Sequence, residues 1–185
     1  LVRISEAELG VDYLDEGDFI AAMEDPEQFC AVAEADGTPA GFAICRMFPP
    51  EEEPDALGLP ECPERSLVLS QRRIGLLDSV AVDSRLKGEG LGTRMCEASC
   101  ARMESEGCTM VCAMAWKSPE GRTNISGVLT RMGFRETISI RGYWNGMVDS
   151  PGGHQCPICG APCRCYGVFW YRLTRRHPCP HAPSF

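Results

Sequence analysis

Three glycines at alternate positions, Gly88, Gly90 and Gly92, mark the stretch "SVAVDSRLKGEGLGTRM" from Ser79 to Met95. An apolar run rich in branched residues, Arg73 to Val82, leads into them. Leu91 to Glu106 follows with apolar positions at helical spacing and Gly107 as its stop. Each ordered glycine costs conformational entropy, so three at one junction need a reason. A strand, a glycine turn and a helix start bring unpaired N–H groups to the positive end of a helix dipole, where phosphate binds. The spacing is not the Gly-x4-Gly-Lys-Ser/Thr of a P-loop, nor the Gly-x-Gly-x-x-Gly of dinucleotide folds. A glycine-rich turn with no ligand satisfies the same local pattern.

The rest of the chain alternates between helical and extended patterns. "VDYLDEGDFIAAMEDPEQF" predicts one or two short helices ending near Pro26. "FCAVAEADGTPAGFAICRMF" predicts a hairpin around Asp36-Gly37-Thr38-Pro39. Pro49 to Glu64 predicts a loop, by its prolines and charges. Arg73 to Val82 is nearly continuous in hydrophobicity, as a strand buried on both faces would be. "CTMVCAMAW" predicts another strand, and Asn124 a capped helix reaching Met132 with Gly133 as its stop. "RETISIRGYW" and "YGVFWYRL" predict two final strands. The order implies one α/β sandwich domain over residues 1–185, with a Cys-rich loop at about 145–166 between the last two strands.

A net charge of −8 argues against general nucleic-acid binding; it weakly favours a cationic partner such as an amine, with an aid to solubility as the competing and stronger reading of the charge alone. No run approaches the length of a membrane span. The opening "LVRISEAELG" lacks the basic-then-apolar order of a signal peptide. Twelve cysteines are present, several within apolar runs where they act as small hydrophobes. That usage reads as a reducing cytoplasm.

"HQCPICGAPCRC" groups Cys156, Cys159, Cys163 and Cys165. Two thiolates separated by two residues, followed by glycine, resemble a zinc knuckle, and Cys163 with Cys165 supplies a second pair. His154, Cys179 and His181 are substitute ligands. Free thiols, a Cys156–Cys159 disulfide and an iron–sulfur site are the competing readings. A zinc ion here would staple the loop and take no part in catalysis.

Val82 followed by Lys87-Gly88-Glu89-Gly90-Leu91-Gly92 resembles motif A of the GNAT superfamily of acyl-CoA-dependent N-acyltransferases. "RMGF", Arg131 to Phe134, resembles that family's helix-to-strand corner, and the resemblance spans roughly residues 29 to 173. It implies a mixed, mostly antiparallel sheet splayed where acetyl-CoA binds, between the Arg73–Val82 and Cys108–Trp116 strands. Main-chain groups of Val80, Ala81 and Val82 would meet the pantetheine arm. The amides of Lys87, Gly88, Glu89, Gly90, Leu91, Gly92 and Thr93 would hold the pyrophosphate. Lys87 stands where arginine or glutamine is usual, and Ser84 where proline is frequent. Leu129 stands where many members carry a tyrosine that reprotonates the CoA thiolate.

The implied reaction is direct acetyl transfer from acetyl-CoA to a primary amine, a small molecule or a peptide. Such transfer needs a base for the amine proton. Asp78 is the candidate, four residues before Val82 and expected on the same face as Val80 and Val82. Its apolar neighbours are expected to desolvate it and raise its pKa. A structural acceptor role is the competing reading. Tyr143, Tyr166 and Tyr171 are candidate acids that also fit as core or rim aromatics. Glu51 to Asp55 would attract a cationic acceptor or serve as a solvated loop. A silent acyl-CoA-binding protein and a zinc-dependent interaction module are the alternative functions.

Overall fold

The computed structural model describes residues 1–148 and 156–174. The elements are α1 (Val2–Glu8), α2 (Glu16–Glu24), β1 (Gln28–Ala35), β2 (Thr38–Phe48), α3 (Glu53–Ala56) and α4 (Pro63–Leu69), then β3 (Ile74–Val82), α5 (Leu91–Ser105) and β4 (Met110–Lys117). The chain continues through α6 (Ser126–Arg131), β5 (Arg135–Arg141), α7 (Asn145–Val148) and β6 (Tyr166–Leu173). Six strands form one open mixed sheet in the order β1-β2-β3-β4-β6-β5. Only β3 and β4 pair in parallel; the other neighbours are antiparallel. The β1–β2 hairpin turns at Asp36 and Gly37, both with positive φ, which is the turn geometry that matches strand twist.

The sheet is covered on both faces. On one, α5 and α6 pack over Ala43, Cys45, Met47, Leu77, Val111 and Ala113. On the other, α1 and α2 cover Phe42, Ile44 and Ala81, while the α3–α4 segment covers Ile74, Leu76 and Phe169. The two central strands are therefore apolar on both sides, which explains their continuous hydrophobicity. Gly75 lets α5 approach β3 closely: a Cβ there would lie 2.6 Å from Met103 Sδ. Cys45, Cys96, Cys100, Cys108 and Cys112 are buried, as small hydrophobes are.

Three local expectations change. Pro49 to Glu64 is not a plain loop: it holds a 3-10 turn, all of α3 and the start of α4. Glu53 within it is wholly buried, because it accepts from Arg65 Nε at 2.8 Å and from the Leu59 N–H at 3.1 Å. Asn124 does not cap α6, which starts at Ser126 with Ile125 as an N-cap that makes no side-chain bond. The chain also opens with α1, which the reading of its first residues did not anticipate. The helix expected before Pro26 is α2, started by a reciprocal capping box between Asp15 and Asp18.

Candidate active site

The parallel ladder between β3 and β4 runs only from Ile74–Met110 to Leu77–Ala113. Beyond it both strands continue, to Val82 and Lys117, without pairing to each other. The reason lies on the far side of β3. Ile44 and Cys45 of β2 are consecutive, yet they pair with Ser79 and Leu77, so Asp78 is an inserted bulge residue. A bulge bends its strand and increases local twist, which here turns the end of β3 away from β4. The bulge also breaks simple alternation. Leu77, Val80 and Val82 all pack with the α5-side core, so the expectation that Asp78 shares a face with Val80 and Val82 by a period of two is corrected.

A cavity of about 540 Å³ opens between the splayed strands. Asp78, Val80, Ala81, Val82, Lys87, Gly88, Gly90, Leu91, Gly92 and Thr93 line it, and Glu89 does not. Gly88 and Gly90 have φ of 91° and 78°, and a Cβ on either would meet no atom within 4 Å. The glycines thus keep open a cradle that side chains would fill. The Arg94 N–H is the first of α5 to reach a carbonyl, Gly90 O at 3.0 Å. Those ahead of it are the orphan donors of a helix start. The cradle fits the pyrophosphate of a nucleotide-bearing donor.

Alternating residues of β4 face opposite sides of the cleft. Ala113 and Ala115 pack with the α5-side core, while Met114 packs with the α3–α4 cluster and Trp116 with a separate cysteine cluster. Trp144, from the start of the β5–β6 connection, also lines the cavity.

The matches to known proteins follow this geometry. Residues 3–134 match the model of the acetyltransferase (GNAT) family. The chain belongs to the GNAT acetyltransferase family. It is an acyltransferase of the N-acetyltransferase type. No curated protein matches it by sequence. An agmatine N-acetyltransferase mutant in its apo form aligns with TM-score 0.61 and 16% identity, over 93% of this chain and 92% of that one. The ribosomal-protein-S18-alanine N-acetyltransferase of Escherichia coli aligns with TM-score 0.60 and 14% identity, over 98% and 90%. An acetyltransferase of Bacillus anthracis in complex with acetyl coenzyme A aligns with TM-score 0.54 and 10% identity, over 85% and 68%. At these identities the solved structures bear on the fold.

In this GNAT chain the Asp78 carboxyl is open to cleft solvent, with protein on the other sides. Desolvation by those walls raises its pKa above the usual carboxylate value. Arg46 and the Ser79 hydroxyl, 3.3 Å away, oppose the rise. Tyr13 was not legible as a site residue. Its hydroxyl lies 3.3 Å from Ser79 Oγ in the cleft wall, and burial, with Asp78 nearby, pushes its pKa up to about 12. Tyr143 donates to Leu57 O at 2.7 Å, and burial raises its pKa strongly. Tyr166 and Tyr171 pack against the two cores, Tyr171 stacked on Phe169. Leu129 is fully buried in the core, and Val128 lines the cleft in its stead. Lys87 Nζ pairs with the Glu8 carboxylate.

The four cysteines also converge: the sulfurs of Cys156, Cys159, Cys163 and Cys165 all lie within 4.8 Å of one another. His154, Cys179 and His181 lie outside the described residues. Among the described residues no helix is long and apolar enough to cross a membrane.

Proposed function

We propose that this enzyme transfers an acetyl group from acetyl-CoA directly to a primary amine, with Asp78 as the base. One observation carries the reading: a glycine cradle, a stretch of β3 free of the β4 ladder, and a carboxylate at the bulge line a single cleft. The donor supplies an acetyl thioester. The Gly88–Thr93 backbone and the helix dipole of α5 would hold its pyrophosphate, with Lys87 as a nearby cation. Main-chain groups of Val80 to Val82 would align the pantetheine arm, and β3 N–H groups would polarise the thioester carbonyl.

Attack by the amine nitrogen forms the C–N bond, and the C–S bond then breaks with its electron pair on sulfur. Asp78, whose pKa is raised by the surrounding walls, takes the proton that the amine must lose. Tyr13 stays protonated across neutral pH, and its hydroxyl shares a hydrogen bond with Ser79 Oγ in the cleft wall. The acceptor side carries Asp78, Trp116 and Trp144, and aromatic faces beside a carboxylate suit a cationic amine. Agmatine and an N-terminal alanine, named for the structural neighbours, are natural members of a first panel. The four cysteines complete the reading as a structural zinc site, and a reducing cytoplasm would keep their thiols available.

The test is thiol release from acetyl-CoA across polyamines, amino acids, aminoglycosides and peptides with free N-termini. Release that needs one amine class supports the reading. Tight acetyl-CoA binding with no release on any amine would leave a silent acyl-CoA-binding protein.

A further inference from the structure

Residues 142–165 join β5 to β6, and among those described the buried apolar contacts centre on the cysteines. Cys156, Cys163 and Cys165 are buried, and Trp116, Trp144 and Cys159 pack around them. The sulfur separations are 3.5 Å for Cys156–Cys159, 3.8 Å for Cys156–Cys165, 3.8 Å for Cys159–Cys163 and 3.6 Å for Cys159–Cys165. A disulfide requires about 2.05 Å. Four thiolates about 2.3 Å from a tetrahedral zinc ion stand about 3.8 Å apart; those four separations are near that value, and all four sulfurs lie within 4.8 Å of one another.

The surrounding backbone is turned for the same purpose. Gly160, at φ 68°, donates its N–H to Cys156 O at 3.0 Å, and the Arg164 N–H donates to Cys159 Sγ at 3.1 Å. An N–H directed at sulfur stabilises a thiolate, the form a metal needs. Trp116 Nε1 is buried beside the Cys165 sulfur, which as a metal-bound thiolate would accept from it. Four protein ligands and three buried sulfurs make a closed site of the structural kind.

The cluster also adjoins the cleft. Cys156, Trp116 and Trp144 line the cavity on the side opposite α5. The two indoles meet with ring centroids 6.2 Å apart. Trp144 Nε1 donates to Tyr166 O at 3.2 Å, and the Gly142 N–H donates to Cys165 O at 2.9 Å, so both ends of the connection are tied at the cluster.

We propose that Cys156, Cys159, Cys163 and Cys165 hold one Zn²⁺, and that this ion fixes Trp116 and Trp144 as the acceptor-side wall of the cleft. Binding releases the thiol protons still present and changes no oxidation state. The ion touches neither donor nor acceptor. The metal site stands on the cysteine geometry alone, and the acceptor role rests on the acyltransfer reading.

Elemental analysis of the full chain, purified under reducing conditions, should find one zinc per chain. After chelation, Co²⁺ should titrate to one equivalent with the visible and charge-transfer bands of a tetrahedral tetrathiolate site. Cys159→Ser should lower the metal content, and Cys62→Ser, outside the cluster, should not. Metal-free protein with no Co²⁺ bands, iron with sulfide, or a Cys156–Cys159 disulfide by mass spectrometry overturns the site. For the wall, metal removal should shift tryptophan emission, and Trp144→Phe should remove much of that shift. It should also raise the amine KM at least about threefold while the acetyl-CoA KM holds. Unchanged emission, or an equal change in both KM values, overturns the wall while the zinc site stands. If no amine is turned over, metal content and emission still decide both parts.

Discussion

Glu53 is wholly buried and accepts a 2.8 Å hydrogen bond from Arg65 Nε. The same carboxylate accepts from the Leu59 N–H, so one side chain ties α3, the turn after it and α4 together. Tyr143 rests on that turn through its hydrogen bond to Leu57 O, and a Cβ on Gly58 would come within 3.6 Å of its ring. Tyr143 in turn meets Trp144 edge to face, with centroids 4.7 Å apart. A buried carboxylate outside the cleft lining thereby supports one of its walls.

Glu53→Ala should destabilise the protein, because the Leu59 N–H would be left buried without an acceptor, a loss of about 1–3 kcal/mol. Glu53→Gln keeps an acceptor oxygen and should lose less. Thermal melts of the two variants check the order. Equal melting temperatures for parent and both variants would show that the pair contributes little.

Gly90→Val should weaken acetyl-CoA binding at least about tenfold, or about 1.4 kcal/mol. The side chain would fill the open cradle, and the positive φ adds strain. Gly121→Val is the control: its φ is also positive, at 88°, its Cβ would also meet nothing within 4 Å, and it lies away from the cavity. Calorimetry on both variants separates strain from lost binding. Equal affinity for Gly90→Val and the control would remove the cradle from the site.

Asp78→Asn should lower kcat/KM about 10²–10⁴-fold, the contribution of a positioned base. The deficit should shrink as pH rises and more amine arrives neutral. Stability gives an independent reading. Desolvation by the cleft walls raises the folded-state pKa of Asp78, so ionising it costs the fold. That part of stability is complete below the unfolded-state carboxylate value and is lost as pH rises through the raised folded value. Asp78→Asn should therefore gain on the parent in melting temperature as pH increases across that window. A variant that keeps its rate and melts lower at every pH would mark Asp78 as a structural acceptor.

Tyr13→Phe removes a hydroxyl that remains protonated until its pKa of about 12. A single hydrogen bond lost from the cleft corresponds to about 0.5–1.5 kcal/mol, so kcat should fall no more than about tenfold. The pH–rate profile should keep its shape below pH 10. A loss of 10²-fold or more, with a changed basic limb, would instead make Tyr13 the general acid.

Much of the fold was legible because it rests on short-range pattern. The Asp36-Gly37 hairpin, the run from Ile74 to Val82 and the helix stopped before Gly107 each depend on neighbours a few residues away. Where the pattern was ambiguous, charge misled. Glu51 to Asp55 looks solvated in one dimension, and only the arrival of Arg65 from the next helix explains a buried Glu53. Asn124 has the chemistry of a cap, yet α6 begins two residues later, so that side chain is left at the cleft wall.

For the site, the residues themselves determined the glycine cradle and the paired cysteine spacing, since both are local chemistry: missing Cβ atoms at a helix start, and thiols separated by tight turns. Tertiary structure decided the rest. The bulge at Asp78 exists only in register with Ile44 and Cys45 of β2, more than thirty residues earlier. Tyr13 reaches Ser79 across 66 residues. Trp116 and Trp144 meet at the cysteine cluster, where the β4–β6 pairing sets Trp116 beside the described ends of the connection. Strand register and packing between distant segments are set by the summed burial of the whole core, which no window of sequence contains.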